Sequence, residues 1–235
     1  MTRHVTIVHA GTSEHASTAR LGALVEEHLQ EVAAQLGLLV EVTWVHLRPL
    51  AHDIMDHLLT GFPGAALAGA HEQVALADGL ILLTPTYQAS YSGLFKSFVD
   101  TLPEGGLEGK PVLLGATGGT PRHALVTEIA MRPLATHLHA DPVPTSLYAA
   151  TEDWGAHAGD SDGRAGEALG RRVARAAREL VTRLPVESRD GSASITPDHR
   201  ATATESSRQD ATGQIGEAAK WPGFVDFETL LGGGR

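Results

Sequence analysis

The segment GTSEHAST, residues 11–18, sets one glycine and four hydroxyls within eight positions. It follows an apolar run at residues 5–8 and precedes an amphipathic helical pattern over residues 17–36. That places it at the carboxyl end of a strand and the amino end of a helix. Unpaired backbone N–H groups there, helped by the helix dipole, favour an anion. The hydroxyls of Ser13, Ser17 and Thr18 add donors suited to a phosphate. Ordinary N-capping by Ser17 or Thr18 accounts for one hydroxyl but not for three. The segment is neither a Walker A loop nor a GxGxxG fingerprint.

Two further stretches carry chemistry of the same kind. In TPTYQASYSGLFKSFVD, residues 84–100, Pro85 is expected to stop strand pairing. Thr86, Tyr87 and Gln88 then supply polar groups beside an aromatic ring, and Ser92 is placed to cap the helix that follows. In GATGGTPRH, residues 115–123, Gly118 and Gly119 offer backbone that a planar ligand can approach closely, with His123 just beyond. Lys96 and Asp100 stand four apart on one helix, as an ordinary ion pair requires. His52, Asp53, Asp56 and His57 share a helical face, which reads as solvated surface in preference to a metal site.

These loops need strands to hold them. Apolar runs of strand length recur at residues 5–8, 38–45, 79–83, 111–115 and 143–148. Helical patterns follow at residues 17–36, 65–77, 92–102, 122–138 and 163–184. Such alternation predicts an α/β fold with a parallel, doubly wound sheet, whose ligands gather at the carboxyl ends of the strands. Arg171, Arg172, Arg175 and Arg178 predict a solvated basic face on the last helix. After Pro185 the composition shifts to Ser, Thr, Ala, Gly and charge, so residues 186–218 read as a disordered linker after a domain of residues 1–185. Residues 219–235 differ again. Trp221, Phe224, Phe227, Leu230 and Leu231 make an apolar set suited to docking.

A chain of 235 residues with 28 acidic against 18 basic side chains has a formal charge of −10, which argues against nucleic acid as a partner. It has no cysteine, which excludes disulfides, thiolate metal sites and a cysteine nucleophile. Nothing in the N-terminal residues reads as a signal peptide, and no stretch reads as a membrane span, so a soluble cytoplasmic protein is expected.

The residues quoted above resemble the NADPH-dependent FMN reductase family. The match runs through Gly11, Ser13, Ser17 and Thr18, then PTYQASYSGLFKSFVD, then GATGG with His123. The middle segment, of pattern P-x-Y-x-x-S-Y-S-G-x-x-K-x-x-x-D, is the most specific. The chain is similar, more narrowly, to actinobacterial FMN reductases that supply luciferase-like flavin monooxygenases. The resemblance implies a flavodoxin-like, five-stranded parallel sheet of order 2-1-3-4-5 with helices on both faces. It implies FMN as cofactor and NADPH or NADH as hydride donor. By the same likeness Ser13, Ser17 and Thr18 hold the phosphate, while Pro85, Thr86, Tyr87, Gln88 and Ser90 line the isoalloxazine. Thr117, Gly118, Gly119 and His123 follow its other edge, and Tyr87 and Tyr91 shape the nicotinamide side. No acid, base or nucleophile is obligatory. The implied partners are a second copy, as a homodimer or tetramer, and a flavin-dependent monooxygenase. An FMN-retaining quinone or azo reductase and a flavodoxin-type electron carrier are the alternatives. One departure stands out: where relatives often place a basic residue, the chain has Glu14, His15 and Ala19, and Arg20 comes one residue later.

Overall fold

Alternation along the central strands decides which helix covers which face. The computed structural model describes residues 2–13, 15–154 and 168–185. The expected linker at 186–218 and apolar segment at 219–235 lie outside the described residues. The strands are β1 (Thr2–His9), β2 (Leu39–His46), β3 (Gly79–Tyr87), β4 (Ser90–Tyr91), β5 (Pro111–Gly118), β6 (Asp141–Pro142) and β7 (Leu147–Ala150). The helices are α1 (Ser17–Gln35), α2 (Ala51–Thr60), α3 (Ala65–Leu76), α4 (Gly93–Asp100), α5 (Arg132–His137) and α6 (Leu169–Val181).

The sheet runs β2-β1-β3-β5-β6 with parallel pairing, and β7 also pairs with β5. Counting β6 and β7 as one interrupted strand, this is the doubly wound order 2-1-3-4-5. Leu80 and Leu82 of β3 point into one core, shared with Phe95, Phe98 and residues of α2 and α3. Ile81 and Leu83 point into the other, shared with α1 and α6. Buried on both faces, β3 reads as an unbroken apolar run. The buried positions of α1, Leu21, Val25, Leu29 and Val32, recur at helical spacing and face this second core.

Four elements differ from the sequence reading. Pairing does not stop at Pro85: β3 continues to Tyr87, and Pro85 is in register with Thr117. Proline lacks an N–H, but its carbonyl and its fixed φ remain compatible with a strand end. The polar stretch after β2 contains a full helix, α2, closed by Gly61 in the left-handed region at φ 80°. The fifth strand is split because side chains take its backbone groups. Arg132 donates to the carbonyls of Val143 and Pro144, both at 3.1 Å, and the N–H of Thr145 donates to Glu179 at 2.7 Å. The helix expected over 122–138 is a 3-10 turn (Pro121–His123), a π turn (Thr127–Met131) and α5. Pro133, near the start of α5, cannot donate to the preceding turn. On α6, Arg171, Arg175 and Arg178 are exposed, as a solvated basic face requires, while Arg172 is half-buried and pairs with Asp153 at 2.8 Å.

Candidate functional site

Strands β1, β3 and β5 deliver three loops to one edge of the sheet. Hydrogen bonds tie them together: Thr12 Oγ1 meets Tyr87 Oη at 3.0 Å, and Ser17 Oγ donates to Thr117 Oγ1 at 3.3 Å. The first bond joins the β1 loop to the end of β3. The second joins α1 to β5.

Capping does not account for the hydroxyls of the first loop. The N-cap of α1 is Ala16, and no side chain caps the helix. Thr18 is 1 % exposed, and its Oγ1 is buried without a partner. A buried hydroxyl left unmade costs about 1–3 kcal/mol, so this position costs stability unless something else binds there. Gly11 is what admits it: a Cβ there would lie 2.4 Å from Thr18 Oγ1 and 2.4 Å from Ala16 Cβ. An unpartnered hydroxyl packed against Gly11 at a helix N-terminus fits the donor set of a phosphate site. Ser13 and Ser17 are exposed beside it.

Under this loop lies a group that sequence reading missed. His9, the last residue of β1, is 5 % exposed, and its Nε2 lies 2.6 Å from Nδ1 of His46. Burial, then the charge of His46, pulls the His9 imidazole down to about 4. The His9 and His46 strand ends carried no signal of their own in the sequence, because their meeting depends on the β1–β2 register.

The second loop is a hairpin. β3 turns into β4 with Thr86 opposite Tyr91 and Tyr87 opposite Ser90. The two turn residues, Gln88 and Ala89, sit at φ 49° and 62°, the left-handed values a two-residue hairpin demands. Neither is a glycine, so the turn is held under strain. Ser92 caps α4 as expected, accepting from the N–H of Phe95 at 3.2 Å. Tyr87 is 50 % exposed on the rim. Tyr91 is half-buried instead, tilted against Phe95 at 5.8 Å. Lys96 and Asp100 form the expected surface pair at 2.5 Å.

In the third loop the two glycines differ. A Cβ on Gly118 would fall 2.1 Å from the hydroxyl of Tyr148, which donates to the Thr120 carbonyl at 2.9 Å. Gly118 therefore serves an internal contact. Gly119 is exposed, with nothing within 4 Å of its Cβ position, and offers the open backbone. Thr117 is buried and His123 is exposed on the turn that follows. On α2, His57 and Asp53 are half-buried while His52 and Asp56 are exposed. Among the described residues no group of three or more histidines and carboxylates could hold a metal ion, and no helix is long and apolar enough to cross a membrane.

A doubly wound parallel sheet with three linked loops at its carboxyl edge, the first made of hydroxyls and glycine, defines a flavodoxin-like flavin-binding protein. Residues 3–155 match the model of the NADPH-dependent FMN reductase family, and the chain belongs to that family. It is an oxidoreductase with FMN as cofactor and NAD(P)H as the hydride donor. It is 34% identical over 139 residues to the NADH-dependent FMN reductase SfnF of Pseudomonas putida, covering 59% of this chain and 74% of that one. It is 42% identical over 113 residues to the FMN reductase (NADPH) of Escherichia coli, covering 48% and 58%. A solved oxidoreductase of Corynebacterium diphtheriae superposes with a TM-score of 0.72 at 34% identity, over 80% of this chain and 99% of that one.

Proposed function

We propose that this FMN reductase binds its flavin exchangeably and supplies reduced FMN to a flavin-dependent monooxygenase. Bound FMN supplies the hydride acceptor, so the protein's own task is to hold the ring and admit the nicotinamide in contact with it. Backbone N–H groups of the first loop, with Ser13, Ser17 and Thr18, hold the phosphate. Pro85, Thr86, Tyr87, Gln88 and Ser90 border the ring on one side, and Thr117, Gly118, Gly119 and His123 on the other. The exposed Tyr87 ring, tied to Thr12, limits the nicotinamide side. Tyr91 acts behind it by packing β4 onto Phe95.

The observation that carries exchangeable binding is the position of Arg20. Its guanidinium lies 4.5 Å over the Trp154 ring, engaged with the indole at the start of α1. Hydroxyls and backbone dipoles then bear the phosphate charge without it, which favours modest affinity and release. The resemblance to monooxygenase-supplying reductases points the same way. The same reading makes the enzyme a cytoplasmic homodimer or tetramer.

NAD(P)H oxidation by purified protein, with and without added FMN, tests this. Turnover should saturate in added FMN, and reduced FMN should drive a separate monooxygenase in the same cuvette. Flavin that co-purifies and does not exchange would make the protein a retaining quinone or azo reductase. Flavin-loaded protein inert to both nicotinamides would make it an electron carrier.

A further inference from the structure

β1 and β2 end side by side at His9 and His46, which are register partners. The N–H of Gly11 donates to His9 Nδ1 at 3.3 Å. A backbone amide can only donate, so Nδ1 is the accepting nitrogen and neutral His9 carries its proton on Nε2. That nitrogen in turn donates to His46 Nδ1 at 2.6 Å. His46 is exposed, so its protonated Nε2 is the outer end of the chain. One directional relay thus runs from the first amide of the loop, through two imidazoles, to solvent. Trp44 steadies both rings: it stacks on His46 at 5.6 Å and 13°, and meets His9 edge-on at 5.8 Å.

An added proton reverses this relay wherever it lands. On His9 it makes both ring nitrogens donors. On His46 it turns Nδ1 into a donor, which forces the His9 proton from Nε2 to Nδ1. Either way an N–H at His9 Nδ1 confronts the N–H of Gly11. Gly11 packs against Thr18 Oγ1 so tightly that a Cβ would lie 2.4 Å away, so movement at Gly11 reaches that hydroxyl.

We propose that His9, oriented by His46, is a positioning residue that keeps the first loop in its flavin-binding shape only while the pair is neutral. The proposal rests on the reading that this loop holds the FMN phosphate. The groups around the pair come from each neighbouring element. Glu26 of α1 accepts from Trp44 Nε1 at 2.9 Å, β3 presents apolar Leu83 as the register partner of His9, and Arg48 beyond β2 is exposed. His15 of the loop and Arg20 of α1 are exposed. Burial of His9 between these elements favours the neutral state, so the relay runs outward at neutral pH.

Two measurements test it. Imidazole nitrogen NMR of the flavin-free protein should show His9 as the Nε2–H tautomer, with the Gly11 amide shifting when the pair titrates. An Nδ1–H tautomer at neutral pH overturns the proposal whatever flavin does. FMN affinity is then followed by flavin fluorescence from about pH 8 to about 3.5, past the His9 value, in the wild type, His9→Asn and His46→Gln; below that value one linked proton gives a limiting slope of about tenfold per pH unit. The asparagine of His9→Asn offers an acceptor to Gly11 and takes no proton. The glutamine of His46→Gln offers an acceptor to His9 at an exposed position. Protonation of the FMN phosphate itself acts equally on all three proteins. The expected result is a steeper acid loss in the wild type than in either variant. Superimposable pH profiles overturn the proposal. No saturable FMN binding at any pH sinks the phosphate reading and this proposal with it, whereas a wrong tautomer sinks the proposal alone.

Discussion

Thr18 gives the proposed phosphate site its most direct test at the residue scale. Its hydroxyl is buried and unpartnered, a cost in the flavin-free protein. Thr18→Val keeps the shape and removes the polar group. The variant should melt no lower than the wild type, and gain up to about 1 kcal/mol, since an unsatisfied hydroxyl is deleted. FMN affinity should fall about tenfold or more, because a charge-assisted bond is worth about 1.5–3 kcal/mol. Lower stability with unchanged FMN affinity would mean that the hydroxyl has a structural partner. His9 has its own signature. Its folded value near 4 lies below the ordinary 6.5, so the unfolded chain takes the proton first. Its contribution is complete above pH 6.5 and declines as pH falls through 4, by at most about 3 kcal/mol. His71, lowered by burial and then by the charge of His57, acts in the same direction. Unfolding midpoints from pH 8 to 4 should drop more in the wild type than in His9→Asn. Equal drops would assign the acid loss elsewhere.

The hairpin is the element under strain. Gln88 and Ala89 both take left-handed φ, at about 1–2 kcal/mol for a residue with a Cβ, although asparagine and glycine suit those positions. Replacing the pair by Asn-Gly should raise stability by about 1 kcal/mol after the entropy of the added glycine is counted, read as a higher urea midpoint with unchanged slope. A lower midpoint would mean that the Gln88 or Ala89 side chain makes contacts worth more than the strain. This hairpin was not legible in the sequence because Gln-Ala carries none of the usual turn chemistry. The split fifth strand was hidden for another reason. Its backbone groups are taken by Arg132 and by Glu179, which stands 34 residues from Thr145. The alternating strands and helices were readable because strands buried on both faces are continuous apolar runs. In the site, the hydroxyl loop was readable from local composition. The Thr12–Tyr87 bond spans 75 residues and the His9–His46 pair spans 37, so each exists only through sheet register.

At the scale of the whole molecule, charge opposes the ligand, and the proposed phosphate loop has to attract it. The chain carries −10, and FMN with its phosphate is an anion of nearly two charges. Long-range repulsion slows encounter, and salt screens it: the Debye length shrinks from about 30 Å at 0.01 M to about 8 Å at 0.15 M. The attraction of the α1 N-terminus is short-ranged and falls off within a helical turn, so the same salt changes it less at the distances where encounter is decided. Because Arg20 is engaged with Trp154, no side-chain cation from the start of α1 is committed to reverse this balance. The association rate constant for FMN should therefore rise, by about two- to fivefold, as ionic strength goes from about 0.01 to 0.15 M. Stopped-flow quenching of flavin fluorescence across that range measures it. A rate that falls with salt would show that local cations steer the flavin, and would point to Arg20 leaving Trp154 during encounter.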